Sequence, residues 1–168
     1  MDSFEKAMQF IYKSEGGTNA DPLDRGGLTQ FGISQKQYPD IDLVNLTKEH
    51  ADAIYKEDYW YKNSCDKLPE PLAVVLMDSS VNCGAGSAAK WLQSSCNRCG
   101  SELTLDSDIG PKTLAEVKKY DERTLLEGVI AYRLERYTAL IGRYPKQVKF
   151  IRGWVRRVSD LLYYVMWA

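Results

Sequence analysis

Ser14-Glu15-Gly16-Gly17-Thr18-Asn19-Ala20-Asp21-Pro22-Leu23-Asp24-Arg25-Gly26-Gly27-Leu28-Thr29-Gln30-Phe31-Gly32-Ile33 is the stretch on which the reading of this chain turns. Upstream of it, Phe4, Ala7, Met8, Ile11 and Tyr12 recur on one face at helical spacing. Asp2 and Glu5, three residues apart, form a capping-box pattern at the start of that helix. The helix is predicted to end at Glu15, because the next two residues are glycines, which enter the left-handed region without a Cβ clash. Asn19, Asp21-Pro22, Asp24 and Gly26-Gly27 are turn chemistry. Leu28 to Ile33 is a strand-like run broken by Gly32, so residues 16–34 read as a loop and a small β-hairpin.

A carboxylate at a helix C-terminus meets the negative end of the macrodipole, which disfavours the anion by roughly 0.3–1 kcal/mol. That raises the pKa of Glu15, and burial would raise it further. A glutamic acid that keeps its proton near neutral pH suits general-acid catalysis. The plain alternative is a solvated Glu before a glycine turn. Asp21 and Asp24 follow on the loop, with Thr29 on the returning strand. A loop folding back over the helix end would set a second carboxylate and a hydroxyl opposite Glu15. That is the two-carboxylate layout of glycoside hydrolysis.

The run Glu15-Gly16-Gly17, Asp21-Pro22-x-Asp24-x-Gly26-Gly27-x-Thr29 and Gly32-Ile33 resembles the glycoside hydrolase 108 family of phage-type endolysins and bacterial N-acetylmuramidases. Downstream, the resemblance continues through Tyr59-Trp60, Cys65-Asp66-Lys67-Leu68-Pro69, Asp78-x-x-Val81-Asn82-x-Gly84 and Trp91-Leu92-Gln93. It ends with Asp108-x-Gly110-Pro111-x-Thr113-Leu114 and Gly153-Trp154. These ordered motifs cover nearly the whole chain. Two departures stand out: Thr18 occupies the place where the family usually has Tyr after Glu-Gly-Gly, and residues 94–107, with Cys96-Asn97-Arg98-Cys99, are atypical. The spacing is also similar to the Glu, Asp, Thr arrangement of phage lysozymes, with one residue fewer between Asp24 and Thr29.

With 168 residues, 44% hydrophobic and 27% charged, the chain fits one globular domain. Its net charge of −1 gives no global argument for binding nucleic acid. No apolar run is long enough for a membrane span, so no membrane insertion is expected. The first residues, Met1 to Lys6, carry no secretory signal pattern. The chain as written is therefore expected to be cytoplasmic as synthesised, reaching the cell wall after release or export by a holin or exporter. Cys65, Cys83, Cys96 and Cys99 read as free thiols, with disulfides after export or a zinc site as the alternatives.

Further along, Thr47 is a good N-cap, and His50 reads as a surface residue. Tyr55, Tyr59, Trp60 and Tyr61 either bury one aromatic face or stack on sugar, with Tyr61 the residue expected to be exposed. Pro71 sits in the first turn of a helix whose Leu72 to Met77 run is apolar all round, the mark of a buried central helix. Asp78 and Asn82 lie four apart on one face of it, as paired structure or as groove floor. Gly84 to Gly86 should break that helix and Ser87 should cap the next; residues 96–109 read as loop. Asp121 should cap a long helix. The basic C-terminal third, including Arg133, Lys149, Arg152 and Arg157, reads as a solvated face or as a patch for anionic polymer.

The expected fold is mainly α, a lysozyme-like single domain over 1–168 with a small β-hairpin next to the active-site helix. Residues 1–95 would form the catalytic part and 105–168 a helical part that, by resemblance, is peptidoglycan-binding-like. The resemblance implies an N-acetylmuramidase acting on peptidoglycan glycan strands, with no cofactor and no metal, and a monomer is expected. Glu15 would be the general acid, Asp24 the second carboxylate and Thr29 its assistant, with Asp21, Tyr61 and Asn82 towards substrate. Two alternatives remain open: a lytic transglycosylase, or a non-catalytic wall-binding or export-accessory protein.

Overall fold

The computed structural model describes residues 1–15 and 29–167, the side chain of Glu15 excepted. Helix α1 (Ser3–Glu15) opens with the expected box: Glu5 N–H donates to Asp2 Oδ1 at 2.8 Å, and Asp2 N–H donates to Glu5 Oε2 at 2.9 Å. Strands β1 (Thr29–Gln30) and β2 (Ile33–Ser34) pair antiparallel, with Thr29 opposite Ser34 and Gln30 opposite Ile33. The strand-like run is therefore split. Phe31 and Gly32 form the two-residue turn, with φ of 53° and 78°. Such turns need positive φ at both positions to match the strand twist, which Gly32 accepts readily and Phe31 does not.

Helix α2 (Lys48–Tyr55) is capped by Thr47, whose hydroxyl accepts from His50 N–H, and His50 itself is exposed. The helix widens into a π-type turn (Lys56–Tyr61), which turns Trp60 into the core and leaves Tyr61 45% exposed. Then come α3 (Glu70–Cys83), α4 (Ala85–Arg98), α5 (Pro111–Val117), α6 (Glu122–Arg143) and α7 (Ile151–Trp167), the last pair joined by a 3₁₀ turn (Pro145–Phe150). The fold is mainly α with one small hairpin, as expected.

Helix α3 is the centre. Every residue from Leu72 to Ser80 is buried, and α1, α4, α6 and α7 pack around it. Two expectations about its surroundings are corrected. Helix α4 begins at Ala85 with Gly84, at φ 92°, as the junction, so Ser87 is not the cap. It also runs on through Cys96 to Arg98, so the loop is shorter than expected. That loop is organised by side chains from α4. Buried Gln93 donates to Asp106 Oδ1 at 2.7 Å, and Asn97 bridges both backbone groups of Leu103. These bonds replace the backbone pairing a loop cannot supply.

The basic C-terminal third is not one solvated face either. Arg133 is wholly buried and Arg157 nearly so, both against Asp78. Arg133 Nη1 donates to Asp78 Oδ2 at 2.6 Å and Arg157 Nη2 to Asp78 Oδ1 at 2.7 Å. A lone aspartate in an apolar helix requires such partners. Asp78 is thus structural, tying α6 and α7 to α3.

All four cysteines are free thiols. Burial raises the pKa of Cys65 and Cys83, and pushes Cys96 up to about 11, which keeps these thiols protonated and poorly nucleophilic.

Candidate active site

Glu15 is the last residue of α1, as the sequence predicts. Its side chain, Thr18, Asp21 and Asp24 lie outside the described residues. What can be built is the wall around the helix end. Phe4, Ala7, Met8 and Ile11 anchor the inner face of α1 in the core. Tyr12, one turn before Glu15, donates its hydroxyl to Asp52 Oδ1 at 2.6 Å. Lys48 donates to the other oxygen of Asp52 at 2.8 Å and stands 5.0 Å above the Tyr12 ring. Burial, then the bond to Asp52, raises the pKa of the Tyr12 phenol well above its ordinary value.

The hairpin is held to this wall. The Phe31 ring meets Tyr12 edge-on at 6.3 Å, and Tyr55 donates its hydroxyl to Phe31 O at 3.1 Å. Tyr55 also meets Tyr12 edge-on at 6.3 Å and lies 5.7 Å from Tyr59. These contacts fix the turn between β1 and β2; Thr29, half-buried, lies two residues before that turn and pairs with Ser34. Gln30 Nε2 pins the hairpin from the other side by donating to Leu46 O at 2.9 Å.

The aromatic series from Tyr12 through Tyr55 to Tyr59 leads into an open cleft of about 540 Å³. Gln37, Tyr38, Asp58 and Tyr59 line one side of it, and Ser80, Val81, Gly84 and Ala85 the other. Tyr38 donates its hydroxyl to Asp58 Oδ2 at 2.6 Å, and Gln37 donates to the Tyr59 hydroxyl. Burial, then the bond to Asp58, raises the pKa of the Tyr38 phenol. The far wall is set from beneath. Buried Asn63 donates to Ser80 Oγ at 2.6 Å and to Ala85 O at 3.1 Å, across the Gly84 junction.

Two residues that sequence reasoning named, Asn82 and Tyr61, do not line this cleft but adjoin residues that do. Asn82, next to Val81, is exposed, and its Oδ1 accepts from the Tyr137 hydroxyl at 2.8 Å and from the Cys83 thiol at 3.3 Å. Tyr137 in turn accepts from Arg133 Nε at 2.7 Å, so the buried Asp78 cluster reaches the surface at Asn82. Tyr61 is exposed as expected, with Lys56 Nζ 5.8 Å above its ring, and its chain neighbour Lys62 lines the cleft. The sequence reading missed Gln37, Tyr38 and Asp58. Asp58 sits among the aromatics of the π-type turn, and that interruption was the available signal.

The chain has known counterparts. A model described as Glycosyl hydrolase 108 matches residues 8–84, and one described as Predicted Peptidoglycan domain matches residues 87–159. Twelve chains of solved structures match, among them Brucella abortus SagA. That chain is 30% identical, with a TM-score of 0.78, and the match covers 97% of this chain and 93% of SagA. No curated protein matches. The class so defined is a glycoside hydrolase directed at peptidoglycan. The chain belongs to the glycosyl hydrolase 108 family.

Proposed function

We propose that the protein is an N-acetylmuramidase, cleaving the β-1,4 bond between N-acetylmuramic acid and N-acetylglucosamine with Glu15 as general acid. The observation that carries this reading is the docking of the Thr29–Ser34 hairpin onto the last turns of α1 through Phe31, Tyr12 and Tyr55. A hairpin held there sets the returning strand beside a helix that ends on Glu15. Residues 16–28 join the two, so Asp21 and Asp24 belong to the connection between acid and hairpin.

In this reading Glu15 protonates the leaving glycosidic oxygen. Asp24, with Thr29 assisting, steadies the positive charge that develops on the sugar or positions the attacking water. Asp21 is the reserve second carboxylate. The glycan runs along the cleft past Tyr38, Tyr59 and Asp58, with Tyr61 and Asn82 at its margins. The Oδ1 of Asn82 is taken by Tyr137 and Cys83, which leaves its amide group for a substrate contact in this reading.

Digestion of purified peptidoglycan by wild type and Glu15→Gln, with mass spectrometry of the products, tests this. The expected result is fragments with reducing N-acetylmuramic acid ends, reduced about 10²–10⁴-fold in the variant. Anhydro-muramic ends would make it a transglycosylase. Binding without cleavage by wild type would make it an accessory protein. Asp24→Asn should also lose most of its rate if a second carboxylate takes part.

A further inference from the structure

Residues 136–159 contain seven basic side chains and no acidic one, in a chain whose net charge is −1. Two of the seven charges have acidic partners: Arg157 is spent on Asp78, and exposed Arg156 pairs with exposed Asp160 at 3.8 Å. Lys146, Lys149, Arg152 and Arg156 are exposed and recur every three to four residues along the 3₁₀ turn and the start of α7. That spacing aligns them along one edge.

The same surface is apolar to an unusual degree. Seven of the exposed large hydrophobic side chains lie between residues 144 and 167. Phe150 and Val155 are each 47% exposed, Tyr163 is 70% exposed and Trp167 is 76% exposed. Arg152, Val155, Arg156, Tyr163 and Met166 share the outward face of α7, with Asp160 beside them as the one acid, while Val158 and Leu161 face the core. Trp154 stacks on Tyr137 at 4.9 Å and holds the start of α7 on α6.

We propose that the outward face of α7 and the preceding 3₁₀ turn form a docking surface for an anionic phospholipid bilayer. Basic side chains interleaved with exposed Phe, Val, Tyr and Trp on one helix face are the composition of a helix lying in a membrane interface. The charges meet the lipid phosphates and the apolar tips enter the headgroup boundary. A second copy of the chain is a poor occupant, because the face is positive along its first half and would repel itself. A soluble anionic polymer would satisfy the charges and leave the apolar side chains unused. No helix among the described residues is long and apolar enough to cross a membrane, so the contact is peripheral.

Co-sedimentation of the full chain with vesicles of phosphatidylglycerol and phosphatidylcholine, against phosphatidylcholine alone, tests the proposal. Binding is expected to the anionic vesicles only, weakening as salt rises. Lys149→Glu with Arg152→Glu should weaken it at least about tenfold. Phe150→Ser with Val155→Ser should weaken it by about tenfold even at low salt. All four positions are exposed, and circular dichroism checks that the variants fold. Glu15→Gln should bind like wild type, which separates this surface from the catalytic reading. Three results would overturn the proposal: no binding to anionic vesicles, binding indifferent to the apolar pair, or a dimer that dissociates in the same variants.

Discussion

Arg133 and Asp78 meet at 2.6 Å with no solvent on either side chain, and Arg157 closes on the second carboxylate oxygen from α7. Three helices are thereby joined through one aspartate. Removing one member of such a cluster strands charge where water cannot reach it, at about 3–5 kcal/mol. Asp78→Asn and Asp78→Ala are expected to lose that much stability in urea unfolding. Arg157→Ala, at the cluster's edge, should lose less, about 1.5–3 kcal/mol. Equal losses for the edge and the centre would contradict the burial pattern.

Tyr12 and Tyr38 give the protein an alkaline limit. Burial and then hydrogen bonds to Asp52 and Asp58 hold both phenols above their ordinary value of 10.0. A proton held more tightly in the folded chain than in the unfolded one stabilises fully below pH 10. That contribution is lost as pH climbs towards the folded values. Unfolding midpoints measured across this range should fall more gently for Tyr12→Phe than for wild type.

Gly128 marks the crossing of α6 over α4. A Cβ there would overlap Ser95 Oγ and stand 2.8 Å from Ser95 Cβ. Gly128→Ala is expected to destabilise by about 1–3 kcal/mol through overpacking. Adding Ser95→Gly removes the obstructing atoms, so the double variant should be more stable than the sum of the two single changes.

Asp58 and Tyr38 form the polar floor of the cleft on the hairpin side. If the glycan lies there, Asp58→Ala removes an interaction made equally with substrate and transition state. KM on peptidoglycan should rise about three- to tenfold while kcat holds. A fall in kcat with KM unchanged would move Asp58 from holding the glycan to the chemistry.

Local signals were legible in the sequence. The Asp2–Glu5 box, the Thr47 and Asp121 caps, Pro71 and the end of α1 at Glu15 each depend on residues within a turn of one another. The buried run of α3 was also legible, because nothing apolar all round can face water. Phe31 was not. Its positive φ is imposed by Tyr12 and Tyr55 from two other helices, and no local preference announces it. Arg133 looked like the edge of a basic face because its partner lies 55 residues away. Asp78 held the missing clue, since a buried carboxylate demands a counter-charge from somewhere. The cleft residues Gln37 and Tyr38 lie in a short irregular segment, where periodicity says nothing.

Gly84 divides the chain in sequence but not in energy. The first family match ends there, yet the helix it ends on is covered by α4 and α6, which belong to the second. The two stretches are recognisable separately but share one buried helix. A gene fragment stopping at this glycine would encode a central helix with its apolar sides open to water. Thermal unfolding of the whole should therefore pass through one transition.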